Sequence, residues 1–415
     1  MTATHTPAPS HRLREVRYEI RGELARRALA IEASGRSVIK LNIGNPGLFG
    51  FDTPEHLRRA VAGGLPASEA YCHQQGLASA REAIAAQQQQ RGAPGAHAER
   101  VWVGNGVSEL IDLCLRALLD AGDEVLIPAP DYPLWTAATV LNGGVAVHYP
   151  CLAGDGFVPQ IAAIEALITP RTRALVVINP NNPTGAVYPR STLVAMSELA
   201  TRHGLVLMAD EIYDGLLYEQ AEFVPMAALA PDVLCLSFAG LSKVHRACGY
   251  RAGWVSLSGA LLHSGAYQHA LDLLSALRLC ANVAAQWAIA PALTGPDTSR
   301  ALTQPGGRLY ETRRVVIDAC ARSAALDLVS PGGALYAFPG IDTVRCPGFD
   351  DHAFALELLE RESVLVVPGS SFNVAYRNHL RLTLLPDADV MTEVFARIER
   401  TLARQLTRTA QRHVA

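Results

Sequence analysis

Between residues 101 and 257 the chain alternates short, continuous apolar runs with longer segments of helical length. The runs are VWVG (101–104), EVLIP (124–128), ALVVI (174–178), LVLMA (205–209), VLCLS (233–237) and GWVSL (253–257). Segments 107–121, 132–143 and 190–203 lie between them. A strand with one wet face alternates apolar and polar residues, whereas a run apolar throughout is buried on both faces. Such strands separated by helices predict an α/β layer domain around a mostly parallel central sheet covered by helices.

The texture changes after about residue 300. A helical segment (308–323) precedes ALYAFPG (334–340), a helical stretch near 352–361, then VLVVPG (364–369) and HLRLTLLP (379–386), the pattern of a smaller α+β domain. At the other end, residues 1–12 read as a loose polar arm, 13–35 carry helix formers, and VIKLNIG (38–44) reads as a short strand stopped by NPG. These shifts predict an N-terminal arm with part of the small domain at 1–60, a large domain at 61–300 and a small C-terminal domain at 301–415. Arg397, Arg400, Arg404, Arg408 and Arg412 line one face of a terminal helix, expected to be solvated.

Composition narrows the ligand class. With 49% hydrophobic and 18% charged residues among 415, a large core is affordable and wholesale disorder is excluded. A net charge of -3 gives no electrostatic reason to expect nucleic acid or an anionic membrane. The first twenty residues lack an apolar signal segment, and no apolar run reaches the ~18 residues of a membrane span. Eight cysteines are scattered without a C-x-x-C pair, so reduced thiols in a cytoplasmic protein are expected and no metal site. Small molecules remain.

Four segments can carry chemistry. Lys243 sits in SFAGLSKVHRACGYRAGW, just after an apolar run, among small residues where a surface lysine would be the ordinary expectation. Burial and nearby positive charge, with Arg251 eight residues on, favour the neutral amine that imine formation needs. Arg251 itself can clamp a phosphate. In VWVGNGVSELIDL, a strand and glycine turn open a helix, whose free amides at Val107 and Ser108 suit an anion. Gly104-x-Gly106 partly mimics a dinucleotide fingerprint, but Glu109 replaces the third glycine. The candidate acids, Asp123 and Glu124, open the next strand instead of closing it, so the NAD reading is set aside. NPNNPTG (179–185) is either a plain turn or a loop presenting Asn182 to a ligand. In VLMADEIYD, Asp210 ends a buried run, where a carboxylate is costly unless paired, and Tyr213 lies one turn on.

In this order the segments resemble the class I/II aminotransferases of pyridoxal-phosphate fold type I, most of all the bacterial alanine (glutamate–pyruvate) group. The resemblance runs from about Tyr18 to Pro386. It includes YEIRG, KLNIGNPG, AYCHQQGL, GNGVSEL, PAPDYPLW, NPNNPTGAVY, DEIYD, GLSK with Arg251, RLCANV and GALYAFP. It implies pyridoxal 5'-phosphate held on Lys243, which also moves the proton, with Asp210 paired to the ring nitrogen. Asn182 and Tyr213 would bond the ring hydroxyl, and Tyr132 would stack on the ring. Val107, Ser108, Ser242 and Arg251 would hold the phosphate. Tyr71 would reach the phosphate of a neighbouring subunit, implying a homodimer with composite sites. Arg381 would take the substrate α-carboxylate, helped by Gly44 and Asn182, while Tyr18 and Arg21 fold over the site. Independently, Arg381 points away from the apolar set Leu380, Leu382 and Leu384, the alternative being an edge arginine facing water.

The implied reaction passes an amino group between amino acids and 2-oxo acids, L-alanine and 2-oxoglutarate giving pyruvate and L-glutamate. Departures from the group at Ala239, Val244, His245, Gly332, Gly333, Val374 and Ala375 leave this core untouched, and several of them are expected to reshape the substrate pocket. The alternatives are another fold type I enzyme or an aminotransferase of specialised metabolism with a different donor. A cofactor-sensing regulator would need a DNA-binding module ahead of LNIGNP, where only about forty residues stand, whose few helical residues resemble the aminotransferase arm.

Overall fold

The computed structural model describes residues 7–16 and 18–414. Its centre is a seven-stranded sheet made of β2 (Val101–Gly104), β3 (Glu124–Ala129), β4 (Val145–Pro150), β5 (Thr172–Ile178), β6 (Val206–Asp210), β7 (Leu234–Gly240) and β8 (Gly253–Gly259), preceded in the chain by the two-residue β1 (Ile39–Lys40). The order across the sheet is β2-β8-β7-β6-β5-β3-β4. All six apolar runs form strands. β3 through β7 pair in parallel, whereas β8 runs antiparallel to both β2 and β7. The strand that sequence periodicity misses is β4, an edge strand whose residues are mostly half-exposed and whose pattern VAVHYP is correspondingly mixed.

Two layers of core explain why the inner strands read as apolar throughout. Val176, Ile178, Met208, Leu236 and Phe238 face one side and pack on Ile111 and Trp135; Leu175, Val177, Leu207, Ala209 and Cys235 face the other and pack on Leu193 and Met196. Helix Val107–Leu118 buries Leu110, Ile111, Cys114 and Leu115, the i, i+1, i+4, i+5 stripe of a core-facing helix.

The C-terminal part has its own core and smaller sheets. Strand Leu380–Thr383 lies between Tyr336–Ala337 and Val367–Pro368, antiparallel to both. The N-terminal segment joins this layer, since β1 pairs in parallel with Val364–Leu365. ALYAFPG is not one strand but two short ones, Tyr336–Ala337 and Gly340–Ile341, divided at Phe338–Pro339. The last helix, Ala388–Val414, buries Met391, Val394, Phe395 and Ile398 in the same core. Its basic face is not simply solvated: Arg397 pairs with Glu393, and Arg400 and Arg404 converge on Glu362. The side chains of Arg408 and Arg412 lie outside the described residues. Among the described residues no helix is long and apolar enough to cross a membrane.

Candidate active site

At the carboxyl edge of the parallel strands the sheet stops and loops diverge, which is where open α/β sheets hold ligands. β2 ends at Gly104 and hands on to Val107 and Ser108; β3 ends at Ala129 before Tyr132; β5 ends at Ile178 before Asn182; β6 ends on Asp210; β7 ends at Gly240 before Ser242 and Lys243. Because β8 is antiparallel, it begins at this same edge, and Arg251 arrives two residues ahead of it. Five strand ends and one strand start therefore surround one cavity of about 630 Å³. The C-terminal layer closes its other side with Tyr336 and Arg381, and the N-terminal segment adds Tyr18, Arg21 and Gly44.

Every residue given a role at the site in the sequence analysis lines this cavity except Tyr71. Tyr71 is 77% exposed, an unusual place for a tyrosine with no role within its own chain. The departures at Ala239, Val244, His245, Gly332, Gly333, Val374 and Ala375 all lie outside the lining.

Lys243 Nζ donates to the Gly44 carbonyl at 2.6 Å, so the amine points into the cavity and toward the N-terminal segment. Asp210 is 3% exposed. Its Oδ2 accepts from Trp135 Nε1 at 3.0 Å, while Oδ1 has only a long bond, 3.4 Å, from the Ile212 amide. Burial raises its carboxyl to about 6, against the bonds from Trp135 and Ile212 and the pull of Lys243. A buried carboxylate this poorly balanced suits a cationic partner at Oδ1.

Arg381 is 1% exposed on the central strand of its sheet, so the water-facing alternative fails. Burial holds its guanidinium below the usual arginine range. It bonds Asn182 Oδ1 at 3.3 Å and the Asn42 carbonyl, and its plane lies on the rings of Tyr336 and Phe372, 4.6 and 5.0 Å from their centroids. Its Nε has no partner among the described residues. Among the described residues no carboxylate pairs with it, and a desolvated guanidinium with an idle donor fits a carboxylate ligand. Because Asn182 spends its oxygen on Arg381, its amide nitrogen is left to donate.

The anion cradle rests on two close backbone approaches. Gly106, at φ 85, precedes a helix with no side-chain cap, so the first amides stay free, and a Cβ there would collide with Arg251. At Gly253 a Cβ would come 2.6 Å from the Val107 amide. Arg251 sits at φ 55 and donates to the carbonyls of Asn105 and Cys248, both at 3.2 Å, beside the same amides. Glu109, in the place of a third fingerprint glycine, accepts from the amide and side chain of Asn105 and so braces the turn.

Sequence reasoning missed Tyr336 and Trp135. Tyr336 bonds Tyr213 through their hydroxyls at 3.1 Å and stacks under Arg381; Trp135 is fully buried and holds Asp210. Both look like ordinary core aromatics in a one-dimensional pattern. Tyr18 and Tyr132 are likewise joined, 3.0 Å between hydroxyls, with burial first among the causes that keep the Tyr132 phenol neutral.

Residues 36–398 match the family model described as aminotransferase class I and II. The chain is 48% identical over 380 residues to an alanine aminotransferase of Mycobacterium tuberculosis (strain H37Rv), covering 91% of this chain and 89% of that one. It is 47% identical over 380 residues to a glutamate-pyruvate aminotransferase of Escherichia coli (strain K12), covering 92% and 94%. The crystal structure of an aminotransferase from Escherichia coli superposes with a TM-score of 0.94 at 45% identity, covering 96% of this chain and 98% of that one.

Proposed function

Since the chain belongs to the class I and II aminotransferase family and has its fold, we propose that it transfers the amino group of L-alanine to 2-oxoglutarate on pyridoxal phosphate held by Lys243. The observation that carries this reading is the common cavity of Lys243, Asp210, Arg251 and Arg381, four groups drawn from 172 residues of sequence to line one space. Enzymes named for alanine or glutamate–pyruvate transfer at 44–48% identity support the substrate pair. Pyridoxal phosphate, when bound, supplies an aldehyde that condenses with amines and a ring that draws electrons from the substrate α-carbon.

The residues present fit that group. Asp210, with its under-used Oδ1, would pair with the ring nitrogen and keep positive charge there. Val107, Ser108, Ser242 and Arg251 would hold the phosphate, Tyr132 would cover the ring, and Asn182 Nδ2 with the Tyr213 hydroxyl would donate to the ring oxygen. Lys243, whose Nζ donates to the Gly44 carbonyl, would be the amine that holds the aldehyde and would carry the proton at the substrate α-carbon. Arg381 orients the amino acid by its carboxylate, with Gly44 and Asn182 beside it. Tyr18 and Arg21 close the cavity, and Arg21 suits the second carboxylate of glutamate. Tyr71, exposed on its own subunit, completes the phosphate site of a partner, so the working unit is a homodimer in the cytoplasm. The division into 1–60, 61–300 and 301–415 is supported by the pairing of β1 with Val364–Leu365 and by the core that Leu24, Ala28 and Leu41 share with the C-terminal layer.

A matrix of amino donors against oxo acids tests the assignment. L-Alanine with 2-oxoglutarate should give pyruvate and glutamate in equal amounts, among the fastest pairs. Ammonia release from alanine without an acceptor, or no pyruvate with any acceptor, rejects it. Arg381→Lys keeps the charge but loses the two-pronged grip, a deficit of about 1.5–3 kcal/mol for a charged hydrogen bond. The KM for alanine should rise roughly 10- to 100-fold with a smaller change in kcat, measured by initial rates at saturating 2-oxoglutarate. An unchanged KM would take the carboxylate away from Arg381.

A further inference from the structure

Asp131 is fully buried one residue before Tyr132, and no charged side chain contributes to its ionisation balance. It does not cap the helix that follows, Leu134–Leu141, whose N-cap position is Pro133 and which has no side-chain cap. Instead Oδ2 accepts from Thr136 Oγ1 at 2.8 Å and Oδ1 from Asn373 Nδ2 at 2.9 Å. Asn373 also donates to Thr136 at 3.1 Å, and Thr136 meets His148 Nε2 of β4 at 2.8 Å. The Asp131 amide donates to the Phe372 carbonyl, and the Phe372 ring supports Arg381. One carboxylate thus fastens the loop bearing Tyr132 to the turn beneath Arg381, across 242 residues of chain.

We propose that Asp131 is a positioning residue: its ionised carboxylate, gripping Thr136 and Asn373, holds Tyr132 and Arg381 in register across the substrate cavity. The proposal rests on the reading of Tyr132 and Arg381 as ligand contacts. Charge is the operative feature, because hydrogen bonds to a carboxylate are about twice as strong as neutral ones. Burial raises this carboxyl to about 7, opposed by the bonds from Thr136 and Asn373. The titratable groups around it are His148 behind Thr136, Tyr132 and Tyr18 at the cavity, and Arg381 over Phe372. Asp351 lies behind Ser370, and His379 stacks on Phe338 next to Phe372. Burial lowers both histidines, His379 to about 4, which disfavours their charging over the range in which Asp131 titrates. As pH falls through about 7 the carboxylate becomes a neutral acid and the grip weakens.

Asp131→Asn fixes the neutral form in the same shape. In the holoenzyme its KM for alanine should be about 10-fold above wild type at pH 8.5, with kcat within about threefold, the cost of one charge-assisted bond. The ratio of variant to wild-type KM should fall toward one by pH 6, where wild type is itself protonated. Ionisations of substrate and cofactor cancel in that ratio. Asp131→Asn with Asn373→Asp moves the charge to the other side of the link and should recover most of the loss; position 373, at φ 57, accepts Asp. A KM unchanged at pH 8.5, a ratio constant with pH, or no recovery in the double variant overturns the proposal. If Asp131→Asn yields no folded holoenzyme, Thr136→Val, which removes one donor at equal size, carries the same pH test. Should Arg381→Lys leave KM unchanged, the reading of the site fails; should only the Asp131 variants do so, this inference fails alone.

Discussion

Lys243→Ala is expected to lower transamination by at least about 10²–10⁴-fold, the ordinary contribution of a positioned proton carrier, and to abolish covalent attachment of the cofactor. The amine reaches the cavity from the loop after β7 and touches Gly44 of the N-terminal segment. Among the cavity-lining residues it is the one primary amine, so nothing else there can take its place. Borohydride reduction followed by peptide mass analysis reads the attachment directly. Wild type should carry the cofactor's added mass on the peptide containing Lys243, and the variant none. Turnover retained in the variant, or the mass found on another peptide, would end the mechanism.

Asp210→Asn should lower kcat by about 10²–10³-fold, the scale of removing one preorganised charge contact from a reacting site. Its pH signature is the sharper test. Without a cation at Oδ1 the folded carboxyl titrates near 6, above the ordinary value, so ionising it opposes folding. The stability of the neutral form is fully present below about pH 4 and is lost as pH rises through 6, roughly 3 kcal/mol in all. A protonated ring nitrogen held beside Oδ1 would offset that loss. The rise in Tm on adding pyridoxal phosphate should therefore grow between pH 5 and pH 7.5 in wild type and stay flatter in Asp210→Asn. Equal pH dependence in the two proteins would remove Asp210 from the ring nitrogen.

Much of this site was legible because its polar residues follow directly on apolar runs. Asp210, Asn182 and Lys243 stand at or just after the ends of β6, β5 and β7, and strand ends are where a buried sheet must turn polar. Arg381 was readable from its parity against Leu380, Leu382 and Leu384. Trp135 and Tyr336 were hidden because their apolar bodies satisfy the core pattern, and only the coordinates show where their polar atoms point. Strand direction was hidden too: GWVSL is as apolar as its parallel neighbours, since a central antiparallel strand is also buried on both faces. The grip of Asp131 on Asn373 leaves no mark in either local pattern, because each residue alone resembles a turn former.

The pairing of Ile39 with Val364 has a consequence for biosynthesis. Strands β2 to β8 end by residue 259 and can close on one another while the remainder is still being made. The chain's opening strand cannot find its neighbour until 325 further residues have been added (364 minus 39). A nascent polypeptide therefore carries its first segment unpaired through most of translation, and the binding cavity, which borrows Gly44 from that segment, is assembled last.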